Sequence, residues 1–260
     1  MIISFVSIVL FLTIHTQLSL SASLADAPKL NYQVKNIYPH DQLSYTQGLL
    51  WHKNQLYEGT GLYGHSKIAQ VDLLTGQAIK QTHNSPRVFG EGITVFSNKL
   101  YQLTWRENIV YVYGLNDFKK IKEYFWPLEG WGLTNDAHSL IISTGESYLY
   151  WVNPEDFSVV SKKQVLFKGQ PISMINELEY VDGYIYANQY LTNHLIKIDA
   201  KTAEVVGVLD LSDLFVRTNK EFIVKEPTED VLNGIAYNPV SRNFYVTGKR
   251  WSYLFEINIE

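Results

Sequence analysis

Phe89-Gly90-Glu91-Gly92-Ile93-Thr94-Val95 decides how the rest of the chain is read. A carboxylate sits between two glycines and runs straight into β-branched residues, the composition of a strand. Glycine on both sides lets a backbone press close to its neighbours, so this acid is suited to a crowded point. The same short pattern, a polar or aromatic residue followed by Gly and then Leu or Ile, returns as Gln47-Gly48-Leu49, Trp131-Gly132-Leu133 and Asn233-Gly234-Ile235. Asn176-Glu177-Leu178 is a fifth copy with the glycine replaced. The five leading residues lie 44, 40, 45 and 57 positions apart, so the chain is built from repeats, and Glu91 is the only acid among the leaders.

Working outward, each leader opens a unit of four short strands. The first unit reads Gln47 to Leu50, Gln55 to Gly59, Ser66 to Leu73 and Gln77 to Thr82, with turn residues between them. The second reads Gly92 to Phe96, Lys99 to Thr104, Ile109 to Tyr113 and Lys120 to Phe125. The third runs from Gly132 through Leu140–Ser143 and Tyr148–Val152 to Ser158–Leu166. The fourth has Glu177–Val181, Tyr184–Asn188, Leu195–Asp199 and Glu204–Leu209. Four antiparallel strands in about 40–50 residues is the length of a β-propeller blade. The fifth unit is one strand short, with Ile235–Tyr237, Asn243–Thr247 and Tyr253–Ile259 only. The alternating stretch Leu30–Ile37 is expected to supply the missing strand, which closes the ring and removes two sheet edges together. The expected fold is all-β, a five-bladed propeller in one domain over residues 26–260.

Composition agrees with that reading and excludes several functions. Hydrophobic residues make up 46% and charged residues 18%, enough for a large core and against disorder. A net charge of −4 gives no electrostatic footprint for nucleic acid. Cysteine is absent, so there is no disulfide, thiolate ligand or thiol nucleophile. The seven histidines show no paired metal-ligand spacing, and there is no Gly-x-Ser-x-Gly elbow or phosphate loop. Gly59 to Gly64 partly imitates a Gly-rich fingerprint, but no crossover helix follows it.

Residues 1–25 read as a secretion signal, with an apolar run from Ile2 to Ile14 and small residues at Ser23-Leu24-Ala25, although no Lys or Arg precedes the run. The run is shorter than a membrane span needs, and with no basic residue before it an uncleaved anchor stays the alternative to a cleaved signal. A periplasmic or secreted, monomeric protein without membrane association after signal removal is expected. The insertion Ser212–Val231, which lengthens the last spacing, is either a solvated connection or a cover over one channel end, with Leu214-Phe215-Val216 as its anchor.

The first strand of each blade lies nearest the axis, so Gln47, Glu91, Trp131, Asn176 and Asn233 should ring one channel mouth. Polar residues there can simply face channel water. Trp105, Tyr190 and Lys249, however, follow the second strands of blades two, four and five at matching places. Adjacent strands are antiparallel, so these side chains converge on the same face and outline a pocket with apolar walls and a few polar groups.

The motifs resemble the plant and bacterial type of glutaminyl-peptide cyclotransferase. The likeness rests on Tyr45-Thr46-Gln47-Gly48-Leu49, Glu58-Gly59-Thr60-Gly61, Phe89 to Thr94, Gly130-Trp131-Gly132-Leu133-Thr134, Asn176 to Tyr180, Leu232 to Ala236 and Val246 to Trp251, in order and with similar spacing. The resemblance implies a five-bladed propeller that cyclises the N-terminal glutaminyl residue of a peptide or protein to pyroglutamyl and releases ammonia, without metal or other cofactor. It implies that Glu91 transfers the proton, and that Gln47, Phe89, Trp105, Trp131, Asn176 and Lys249 bind substrate. Tyr190 stands where the family has Trp, and Asp136-Ala137-His138 replaces a usual Asp-Gly turn. Two rivals remain at this stage. One is a non-catalytic secreted propeller that binds peptides or glycans through an aromatic mouth. The other is a sugar-processing propeller, which needs a second carboxylate such as Glu177 or Glu179 beside Glu91.

Overall fold

The structure is a computed structural model that describes residues 24–260. Five four-stranded antiparallel units follow one another around an axis. Blade one comprises Thr46–His52, Gln55–Thr60, Lys67–Val71 and Ala78–His83; blade two comprises Gly90–Phe96, Lys99–Thr104, Ile109–Gly114 and Lys120–Phe125. Blade three has Leu133–Asn135, Leu140–Ser143, Tyr148–Val152 and Val159–Gln164, and blade four Ile175–Val181, Tyr184–Gln189, His194–Asp199 and Val205–Asp210. Blade five has Leu232–Asn238, Asn243–Gly248 and Tyr253–Ile259. The fourth strand of blade five is Tyr32–Pro39, paired antiparallel from Tyr32 opposite Ile259 to Pro39 opposite Tyr253.

The closing strand thus starts and ends two residues later than Leu30–Ile37. Proline is tolerated at its end because this is an edge strand. Leu30 is instead diverted, with Lys29, into a short parallel pairing with Val208 and Leu209 on the outer edge of blade four. That edge would otherwise be open. The N-terminal stretch therefore stitches two neighbouring blades. Of the residues read as a secretion signal, 1–23 lie outside the described residues, and Leu24 and Ala25 join Asp26 in a 3-10 turn. The last strand of blade three stops at Gln164 rather than Leu166. Leu166–Phe167 turns back on Gln170–Pro171 through Lys168 and Gly169, both at positive φ, the requirement of a two-residue hairpin.

The core is divided among the contacts between blades. Blades one and two meet through Leu50, Ile68, Ile93 and Leu100, two and three through Leu103, Val112, Leu133 and Ile142. Blades three and four meet through Ile141, Leu149, Ile175 and Ile185, four and five through Leu195, Ile235, Val246 and Phe255. A fifth cluster, with Leu49, Leu56, Ala236 and Leu254, joins blade five back to blade one. Five apolar contacts for five blades make a closed ring.

The repeated leader has a structural cause. Where the first two strands pair, the register slips between Thr46 and Gly48, Gly90 and Ile93, Ile175 and Leu178, and Leu232 and Ile235. Gln47, Glu91, Asn176 and Asn233 each sit inside one of these bulges, which re-aims a side chain that the pleat would otherwise direct elsewhere. Trp131 lies two residues before the shorter first strand of blade three. Of the glycines that follow, Gly48, Gly92 and Gly132 are dictated by crowding at the axis and Gly234 by its positive φ of 118°. A Cβ at Gly92 would stand 2.6 Å from both Leu133 N and Trp131 O, and one at Gly132 only 2.0 Å from Asn176 O. In blade four the missing glycine is Glu177, which bridges instead of yielding. Its two oxygens accept the backbone N–H of Leu49 at 3.1 Å and of Ile235 at 2.8 Å, linking blade four to blades one and five.

Candidate active site

Gln47, Phe89, Glu91, Trp105, Trp131, Asn176, Tyr190 and Lys249 all line one cavity of about 340 Å³ at the axial mouth. A larger cavity, about 800 Å³, lies between the N-terminal segment and the outer part of blade four; none of these eight residues reaches it. Asn233, the remaining leader, does not line the mouth. It stands behind Gln47, donating Nδ2–H to Gln47 Oε1 at 3.2 Å and to Thr46 O at 2.9 Å.

Glu91 is 4% exposed and accepts one side-chain hydrogen bond, from Gln47 Nε2 at 2.9 Å to Oε1. Its Oε2 has no partner among the described residues. Burial pushes its carboxyl well above the usual carboxylate range; Lys249 pulls it back, while the charges of Glu107 and Glu129 push it further up. Lys249 is 3% exposed, and burial lowers its ammonium to about 8 against the opposing pull of Glu91 and Glu229. Its Nζ lies 4.7 Å from the ring centre of Tyr45 and 4.8 Å from that of Tyr190, so two aromatic faces take the place of part of its hydration shell.

The apolar walls form two groups of packed rings. Phe89 meets Tyr45 and Tyr63 edge-on at 6.1 and 5.5 Å and lies 5.5 Å from Trp105. Across the mouth Trp131 and Tyr190 pack edge to face at 5.5 Å. The Tyr190 hydroxyl donates to Thr228 O at 3.0 Å, a bond that an indole could not make from the same ring position. The Tyr at this place is tied to the insertion that it touches.

Sequence reasoning missed Tyr45, Leu62, Leu191, Thr228 and Glu229, which complete the lining. Tyr45 was signalled by its place two residues before the leader Gln47. Thr228 and Glu229 belong to the insertion and had no repeat partner to mark them. The insertion is not a solvated loop throughout, and two of its residues line the cavity at the mouth. A single helical turn, Leu214–Arg217, buries Leu214. Phe215 packs on Phe222, Trp251 and Phe255 at 5.5, 4.8 and 5.3 Å. Val216, expected as part of the anchor, is exposed. Near the other end, buried Asp230 accepts the N–H groups of Lys225 and Glu226 and the Arg250 Nε–H at 2.8, 3.0 and 2.6 Å. That knot places Thr228 and Glu229 in the wall.

The paired-carboxylate arrangement of a sugar-processing site is not formed. Glu177 is fully buried with both oxygens held by backbone, Glu179 accepts from Tyr237 N–H at 2.9 Å, and neither lines the cavity. Among the described residues no group of three or more His, Cys, Asp or Glu side chains could hold a metal ion. Among the same residues, no helix is long and apolar enough to cross a membrane.

Comparison with known proteins agrees with the motifs. The glutamine cyclotransferase family model matches residues 6–259. The chain is 35% identical over 228 residues to the glutaminyl-peptide cyclotransferase of Arabidopsis thaliana, covering 86% of this chain and 69% of that protein. Its fold matches the crystal structure of Myxococcus xanthus glutaminyl cyclase with a TM-score of 0.83 and 32% identity, over 90% of this chain and 99% of the other. The WD40 domain of Neurospora crassa Pan2, 10% identical with a TM-score of 0.52 over 82% of this chain and 74% of that one, shares the fold alone. With a family match that spans all five blades, the chain belongs to the glutamine cyclotransferase family.

Proposed function

We propose that the chain is a glutaminyl-peptide cyclotransferase that converts N-terminal glutaminyl residues to pyroglutamyl, with Glu91 as the proton-transfer group. The observation that carries this reading is Glu91 itself, a carboxylate of raised pKa on the floor of an aromatic cavity, oriented by Gln47. The α-amine nitrogen of the substrate attacks its own side-chain amide carbon, forming the ring C–N bond. Glu91 takes a proton from that nitrogen and returns it to the amide nitrogen, whose bond to carbon breaks as ammonia leaves. A group that is base and then acid works best with a pKa near the working pH, and burial of Glu91 moves it in that direction.

The walls supply the second requirement, a folded-back substrate. An extended glutaminyl side chain keeps the amine and the amide apart. Trp105, Trp131, Phe89 and Tyr190 enclose a slot that favours the compact conformer. The carbonyl oxygen gains negative charge as the ring closes and needs a donor. Gln47 gives one of its two Nε2–H groups to Glu91 and its Oε1 accepts from Asn233, which leaves it a single N–H. Gln47, the Asn176 side-chain amide and the Lys249 ammonium, all lining the cavity, are the donors available to this role.

The propeller, residues 26–260, is proposed to act as a monomer on peptides outside the cytoplasm, after removal of residues 1–25. The apolar run Ile2 to Ile14 supports export. Ammonia release from a Gln-initiated dipeptide, with loss of one ammonia mass from the peptide, tests the activity. Tight binding of that dipeptide with no release would favour the non-catalytic binder instead. N-terminal sequencing of exported protein tests the processing site.

A further inference from the structure

Trp105 and Trp131 come from different blades, yet one carboxylate holds both. Glu129 Oε2 accepts the Trp105 Nε1–H at 2.9 Å and the Trp131 Nε1–H at 3.1 Å. Its Oε1 accepts the Arg106 Nε–H at 2.9 Å, and the Arg106 guanidinium carbon lies 3.8 Å from the Trp105 ring centre. The backbone is built to bring this about. A Cβ at Gly130 would stand 2.6 Å from Thr104 O and 2.8 Å from Leu103 Cβ. The Gly130 N–H is shared between the carbonyls of Thr104 and Trp105, at 3.2 and 3.1 Å. The entry to blade three is thereby laid against the end of the second strand of blade two, and Glu129 arrives beside Trp105.

An indole has a single donor, and a half-buried one seeks an acceptor. With one oxygen serving both rings, any displacement of the carboxylate loosens the bonds to both indoles together. Burial alone would raise the Glu129 carboxyl, but the bonds from Trp131, Arg106 and Trp105 outweigh it and hold it below the ordinary value. Glu129 therefore stays ionised at neutral pH, and bonds to an ionised acceptor are roughly twice as strong as neutral ones.

We propose that Glu129 is a positioning residue of the pocket: its carboxylate sets the orientation of both indole walls and so the shape of the slot in which the substrate side chain folds. The kinetic arm of the test rests on the proposed cyclotransferase reaction; the spectroscopic arm does not.

The protein is labelled with fluorotryptophan and its fluorine NMR spectrum recorded, with Trp105→Phe and Trp131→Phe identifying the two resonances among the six tryptophans. In Glu129→Ala both resonances should shift and broaden together while those of Trp51, Trp151 and Trp251 hold; Trp126, whose Nε1–H donates to the Glu129 backbone carbonyl at 3.3 Å, is not a control. In the same variant kcat/KM for a Gln dipeptide should fall roughly ten- to hundredfold, the scale for loss of reactant positioning. Glu129→Gln keeps one acceptor oxygen and should recover part of both effects; it also carries the test if the alanine variant does not fold. Unmoved Trp105 and Trp131 resonances, or moved resonances with kcat/KM unchanged, would overturn the proposal. A wild-type protein inactive on Gln dipeptides would instead strike the cyclotransferase reading, and the fluorine spectra would still decide the role of Glu129.

Discussion

Glu91→Gln tests the chemistry with little disturbance to the fold. The amide has the size of the carboxyl, and its oxygen can still accept the Gln47 Nε2–H that Glu91 accepts at 2.9 Å. The bulge that holds the residue depends on backbone register and the crowding at Gly92, neither of which changes. The lost interactions are the proton site and the charge that faces Lys249. That ammonium, already lowered to about 8 by burial, loses its strongest counter-charge and should titrate lower still. The expected result is a variant that folds and binds, with turnover reduced roughly 10²–10⁴-fold, the range for a positioned acid–base group. Glu91→Asp retracts the carboxylate by about 1 Å and should lose on the order of 10²-fold. The assay is steady-state ammonia release by wild type and both variants, with circular dichroism melting curves as the folding control. A folded Glu91→Gln variant with near-normal turnover would refute the reasoning and move the proton transfer to another group.

Four further outcomes can be measured. Tyr190→Ala should weaken substrate binding by about 1 kcal/mol, the scale of an aromatic contact, whereas Tyr190→Trp should keep the wall; equal KM in both would place the ring outside the substrate's reach. Tyr190→Phe keeps the wall but loses the bond to Thr228 O, so backbone amides of residues 225–231 should exchange hydrogen faster. Activity should survive exhaustive chelation, and loss that zinc restores would contradict a metal-free reaction. The fourth concerns buried His40 and Glu58, bonded at 3.0 Å where blade five meets blade one. For Glu58 burial alone would raise the carboxyl, but His40 and Thr46 outweigh it and lower it from 4.5. Burial would likewise lower His40, but Glu58 raises it above 6.5. The Glu58 contribution is present above about 4.5 and lost as pH falls through its lowered value. The His40 contribution is present below 6.5 and lost as pH rises through its raised value. Melting temperature should therefore be highest between those limits. Glu58→Gln, which strands one partner of a buried pair, should cost about 3–5 kcal/mol; a melting curve independent of pH across both limits would count against the pair.

The ring of blades was legible because its cause is local and repeated. Four of the five leaders sit where the first strand bulges, and Gly48, Gly92 and Gly132 sit where two inner strands collide, so crowding writes nearly the same letters at each turn of the axis. Asn176-Glu177 broke the pattern in sequence because Glu177 replaces close backbone contact with a bridge of its own. The pocket residues at the ends of second strands were readable for a related reason, since antiparallel pairing brings them back to the leaders. What escaped was non-repeated or depended on a distant partner. Leu30 pairs with Leu209, and nothing in either stretch names the other. Leu166 reads as the tail of the strand that starts at Ser158, because the two-residue turn at Lys168-Gly169 leaves little trace in an apolar–polar alternation. Thr228 and Glu229 reach the mouth only through the knot at Asp230, whose partner Arg250 lies in another element. Glu129 is one acid before Gly130-Trp131, and its role appears only when Trp105 is brought beside it.

The seam that pairs Tyr32 with Ile259 sets when this molecule can finish folding. Tyr32–Pro39 is made before all four blades that separate it from its partner Tyr253–Ile259, so the nascent chain carries an unmatched strand until those blades have been synthesised. Blades one to four can form their sheets as they emerge, but the ring stays an open arc until Tyr253–Ile259 is released. Joining ends so far apart in sequence is a slow step with a large entropic cost. A chain that leaves the cytoplasm before that step would travel without its final lock. Removing the last strand would leave the arc permanently open, with two unpaired edges ready to join other copies.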